Sequence, residues 1–151
     1  MKIAFYKGEG NFFNKLIRWW TDSQITHVEL IIDDVWYSSS HRDGGVRGKV
    51  ITPNPDNWDI YYINVKDEYY AKEVISNAMG CGYDWTGIIG SQILPFSLHW
   101  PGHYFCSEIV AEALMIDKAN RYAPHELFER LVDRNQLSPL NEGFFMSKDN
   151  E

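Results

Sequence analysis

The chain has 151 residues, of which 44% are hydrophobic and 23% charged. That is enough for one domain with a real core, and residues 1–151 are read as a single globular domain. A net charge of −7 argues against a nucleic-acid surface, which needs clustered Lys and Arg, and two cysteines in unrelated contexts read as reduced thiols rather than a bridge.

Residues 2–7 are short and β-like. The opening MKIAFYKGEG has no long apolar stretch, so the expectation is no signal peptide and a cytoplasmic protein. Lys7-Gly8-Glu9-Gly10 continues into neither GxGxxG nor a P-loop and reads as a loop before the first helix. Phe12, Phe13, Leu16, Ile17 and Trp20 recur at three and four residues and predict a helix over 12–20. THVELIID (26–33) is a strong strand, and Asp33-Asp34 suits a tight hairpin into a second strand over 35–40. Asp43-Gly44-Gly45 is a turn before a strand over 46–51, and WDIYYINV (58–65) is another strand.

The second half turns helical. Asp67 caps a helix with Tyr70, Val74, Ile75 and Ala78 apolar, ended by Gly80. Asp84 caps a short helix running to residue 93 or 94. WTGIIGSQILPFSLHWPG (85–102) carries no acid, Lys or Arg, but Gly, Gln, Ser and two prolines interrupt it. It is a poor membrane span and reads as buried or groove-lining. The clearest helix covers 105–116, and Pro124 opens a last one with Leu127, Leu131 and Val132 on one face. Strands followed by helices predict an α+β domain with a mostly antiparallel β-sheet packed against helices.

Cys106 stands in the first turn of the helix over 105–116, with Ile109, Val110, Ala113 and Leu114 on its own face. It is either a small buried hydrophobe or a nucleophile, since helix-start N–H groups and the helix dipole favour a thiolate. Cys81 has the opposite setting, after a helix end. A thiolate needs a base, and there are five histidines. His27 opens the strand HVELII. Alternation places His27, Glu29 and Ile31 on one face and the apolar Val28, Leu30 and Ile32 on the other. The polar face is either a partly exposed sheet edge or a base with an orienting carboxylate. His41 and His99 are expected to face solvent. His103 is the second candidate base, and His125 has no assigned role. No His or Cys pair has a zinc spacing, so neither a metal nor a cofactor is expected.

The strings THVEL (26–30), WYSSSHRDGGVR (36–47), YDWTG (83–87) and YFCSEIVAEAL (104–114) together resemble the circularly permuted NlpC/P60 group of papain-like thiol hydrolases. That group has bacterial and phage members, and the lecithin retinol acyltransferase-like enzymes are more distant relatives. The likeness implies a permuted papain-like fold, with a nucleophilic Cys106 at a helix start and a base, His27, ahead of it on a strand. A third polar residue orients the imidazole. By family pattern it falls among Ser38, Ser39 and Ser40, and Glu29 is the local substitute, narrowly preferred. Tyr104, Ser39 and Trp85 are the candidate substrate contacts. The implied function is a cysteine hydrolase, an amidase or peptidase acting on an amide or ester of a peptide or small molecule, cell-wall peptide included. Its implied setting is intracellular or phage-encoded. The alternatives are a non-catalytic binding or virion module on the same fold, or a lipid acyltransferase.

Overall fold

Short runs of alternating side chains dominate the first half of the chain, and pairing them builds one sheet. The computed structural model describes residues 1–8, 22–84 and 102–140. Its strands are β1 (Lys2–Tyr6), β2 (His27–Ile32), β3 (Val35–Ser40), β4 (Gly45–Lys49), β5 (Trp58–Ile63), β6 (Gly82–Tyr83), β7 (His103–Tyr104) and β8 (Leu137–Pro139). Their order is β7-β6-β4-β3-β2-β1-β5-β8, and only the β6–β7 pair is parallel. With helices α1 (Glu68–Ala78), α2 (Cys106–Ala113) and α3 (Pro124–Asp133), the described residues make a mixed α+β structure.

Asp33 and Asp34 both take left-handed backbone, with φ of 50° and 62°. This is the twist that lets a two-residue loop join β2 to β3, and Asp tolerates it. The register then places Leu30 opposite Tyr37 and Ile31 opposite Trp36. At the other end of β3, residues 41–43 form a 3-10 turn. Gly45 follows at φ 148°, where a Cβ would lie 1.9 Å from the Cys81 carbonyl oxygen. Only glycine lets β4 start this close to the chain entering β6.

Val28, Leu30 and Ile32 join Ile3 and Phe5 on one face of the sheet. They share a core with Ile109, Val110 and Ala113 of α2 and Leu127 and Leu131 of α3. The opposite face of β2 is no exposed edge, because β1 and β3 flank the strand on both sides. Ala4, Ile31 and Trp36 form a second cluster there, joined by Ile51, Trp58 and Ile60. Glu29 lies on this second face and is only 2% exposed.

The helices follow their caps. Asp67 accepts the Tyr70 N–H at 2.9 Å and starts α1, which buries Ala71, Ile75 and Ala78. Pro124 opens α3, whose buried stripe is Leu127 and Leu131. Val132 was expected on that stripe but is 47% exposed. It lies one residue, about 100°, round the helix from Leu131. Seven of the eight α2 residues, all but Glu112, are buried, so this is a central helix rather than a surface one. It stops short of the expected residue 116 because Met115 turns left-handed at φ 56°.

The predicted helix over 12–20, the one after Asp84, Trp85, His99 and nearly all of the uncharged segment lie outside the described residues. No helix among the described residues is long and apolar enough to cross a membrane.

Candidate functional site

Cys106 is the first residue of α2, with Phe105 as its extended cap. The first bond along the helix runs from the Ile109 N–H to the Phe105 carbonyl. The N–H groups of Cys106, Ser107 and Glu108 therefore have no acceptor within the helix, and the positive end of the helix dipole lies at the turn that carries Cys106. Two serines fix this helix start. Ser39 Oγ donates to the Tyr104 carbonyl at 2.5 Å, and Ser107 Oγ donates to the Tyr122 carbonyl at 2.5 Å.

His27 opens β2 as Cys106 opens α2, and the imidazole comes within hydrogen-bonding and charge range of the thiol. On its other side, His27 Nε2 lies 3.2 Å from Glu29 Oε1. Burial disfavours the imidazolium. The attraction and hydrogen bond of Cys106, together with those of Glu29, more than offset it and push the ring up to about 10. Burial also works against the Glu29 charge, but Arg47 and His27 hold the carboxyl down at about 2. An ionised Glu29 can only accept, so Nε2 carries a proton towards Oε1. Trp58 stands edge-on to His27 with ring centres 6.4 Å apart, and Tyr6 and Trp36 each lie 5.0 Å from Trp58. This aromatic group flanks one side of the imidazole.

The buried carboxylate has a full partner. Arg47 Nη1 donates to Glu29 Oε2 at 2.7 Å and Nη2 to Oε1 at 2.8 Å. Arg47 Nη1 also donates to the Trp36 carbonyl at 3.2 Å, and Nε to Asp43 Oδ2 at 2.9 Å. Lys49 pairs with the other Asp43 oxygen. Burial would raise the Asp43 carboxyl, yet these two cations hold it below its ordinary value.

Two more groups surround the pair. Tyr83 of β6 has its phenol pushed far up by burial, then by the charges of Cys106 and Asp84, so it stays protonated. His41 was expected to face solvent. The 3-10 turn over residues 41–43 instead folds it back, half-buried, with its ring centre 5.9 Å from that of Tyr83. Burial, Arg42 and His27 together lower it below its ordinary value.

The structure thus brings Cys106, His27 and Glu29 together. It gives the other candidates different settings. Ser38 is fully buried and donates to the Val28 carbonyl at 2.7 Å, and Ser39 is fully buried and tied to Tyr104. Those two hydroxyls hold strands together, and Ser39 shows no face to a ligand. The Tyr104 ring lies in the fields of Glu112, Cys81 and Glu108, and its backbone oxygen is what joins it to the site. His103 packs its ring over Gly82 of β6. Both cysteines are free thiols. Among the described residues, no group of three or more His, Cys, Asp or Glu could hold a metal ion.

Arg47 and Tyr83 were not singled out from the sequence. Arg47 alternates with the core residue Val46 on β4, but strand order, not local pattern, brings it to Glu29. Nothing in the sequence pattern linked Tyr83 to Cys106. The chain matches no model of a known protein family and no curated protein.

Proposed function

We propose that the protein is a cysteine hydrolase of the permuted papain-like kind, cleaving an amide or ester through Cys106 and His27. One observation carries the reading: the His27 imidazole interacts with both Cys106 and the Glu29 carboxylate, with Cys106 at a helix start. The order of base before nucleophile and the antiparallel sheet under the helix support the family reading.

In the reaction, the Cys106 thiolate attacks the carbonyl carbon and a C–S bond forms. The oxyanion is met by the Cys106 N–H at the helix start. The C–N or C–O bond then breaks, and the leaving group takes its proton from the His27 imidazolium. Water attacks the thioester, His27 takes the water proton, and the acid departs with the thiolate restored. An alcohol or amine in place of water would make the same residues an acyltransferase. A binding module would need none of this charge arrangement.

The test is incubation with p-nitrophenyl butyrate, followed by mass mapping of acylated peptides and by measurement of free butyrate. A transient acyl group on Cys106 and continuous release of butyrate are expected. An unacylated Cys106 in the folded protein would move the reading to a binding module.

A further inference from the structure

We propose, on the hydrolase reading above, that Arg47 is a positioning residue for the reaction: its guanidinium fork holds Glu29 where Oε1 accepts the hydrogen bond from His27 Nε2–H.

The sheet register makes the reach possible. Ser38 of β3 pairs with Arg47 of β4. The β2–β3 register, which sets Leu30 against Tyr37, places Glu29 beside Ser38 when continued by one residue. Directly paired residues share a face. Glu29, Ser38 and Arg47 therefore lie in one row across three strands. The small serine in the middle turns its hydroxyl to the Val28 carbonyl, so the long arginine side chain crosses above it. On the β1 side Glu29 pairs with Ala4, also small.

The fork fixes both carboxylate oxygens, and Oε1 is shared: 2.8 Å to Arg47 Nη2 and 3.2 Å to His27 Nε2. A carboxylate held at one oxygen can rotate, whereas one held at both cannot. Arg47 is immobilised in turn by Asp43 through Nε and by the Trp36 carbonyl. Without Arg47, Glu29 would be a buried carboxylate with His27 as its remaining partner here, free to turn or to take up a proton. In either case the imidazole loses its fixed acceptor. A bidentate pair can also serve stability alone, and the two roles separate in a double-mutant cycle.

The experiment measures p-nitrophenyl butyrate acylation of Cys106 for R47Q, E29Q and the double variant. The His27 Nε2–H proton signal is followed by NMR in the same proteins, and folding is checked by circular dichroism. In the wild-type background R47Q should slow acylation by about 10-fold, the rate equivalent of one charge-assisted hydrogen bond. In the E29Q background the same change should cost under about 2-fold, because the group it acts through is gone. The Nε2–H signal should be lost to exchange in R47Q. R47K, which keeps the charge without the fork and covers the case of an unfolded R47Q, should fold and weaken both readouts partially. Equal losses in both backgrounds with an unchanged Nε2–H signal would overturn the proposal alone. A folded wild-type protein never acylated at Cys106 would overturn the hydrolase reading and the proposal with it.

Discussion

His27 Nε2 meets Glu29 Oε1 at 3.2 Å although only Val28 separates them in the chain. Two residues along a strand is the shortest separation that keeps side chains on one face, so β2 supplies the proposed base and its acceptor from one rigid element. On that proposal Glu29 orients the ring and His27 provides it. E29Q should therefore slow p-nitrophenyl butyrate turnover less than His27→Ala does. Steady-state rates of the two variants check the ranking, and the reverse order would mean that the carboxylate does more than orient.

Acid should expose the Glu29 network. The carboxyl is held at about 2 against an ordinary 4.5, so its contribution is present above 4.5 and lost as pH falls through about 2. A shift of this size corresponds to about 3 kcal/mol. Urea unfolding of wild type between pH 5 and 2 should show that loss. E29Q, already destabilised because the Arg47 fork loses its carboxylate, should show a shallower pH dependence over the same range. Parallel curves would mean that Glu29 does not carry the linkage.

Alkali should act through His27. Its ring is raised from 6.5 to about 10, so the imidazolium's contribution is full below 6.5 and lost as pH rises through about 10. Cys106 is the foremost group raising it. An NMR titration of the His27 ring should give a midpoint near 10 in wild type and a clearly lower one in Cys106→Ser. An unmoved midpoint in that variant would separate the two side chains.

The core under the site is testable by one residue. Leu30 is fully buried between β1, β3 and α2. Leu30→Ala should cost about 2–5 kcal/mol through the cavity it leaves, and Leu30→Asp should unfold the domain by burying an unpaired charge. Urea melts measure both, and an unaffected Leu30→Asp protein would mean that the strand register is wrong.

The strands and caps were legible because their signals are local. Period-two alternation gave β2 its faces, Asp33-Asp34 its hairpin, and Asp67 and Pro124 their helix starts. Burial of the second sheet face was not legible, since a polar pair such as His27 and Glu29 looks the same on an exposed edge or a covered strand. Arg47 and His41 reach the site through strand order and a 3-10 turn, which depend on pairing between distant segments. Val132 was misplaced because a stripe read from two leucines is narrower than one helix face.

Iodoacetamide labelling followed by peptide mass mapping, between pH 5 and 9, tests a reactive Cys106–His27 pair most directly. Exposure alone ranks Cys81 first, since it is half-exposed while Cys106 is buried. On the proposed reading, the helix start and the His27 side chain make Cys106 the better nucleophile and reverse that order. Cys106 should therefore label faster than Cys81 near neutral pH, and His27→Ala should slow Cys106 by about 10-fold or more while leaving Cys81 unchanged. Slow labelling of both thiols in the folded protein, indifferent to His27, would contradict the pair and leave Cys106 as core packing.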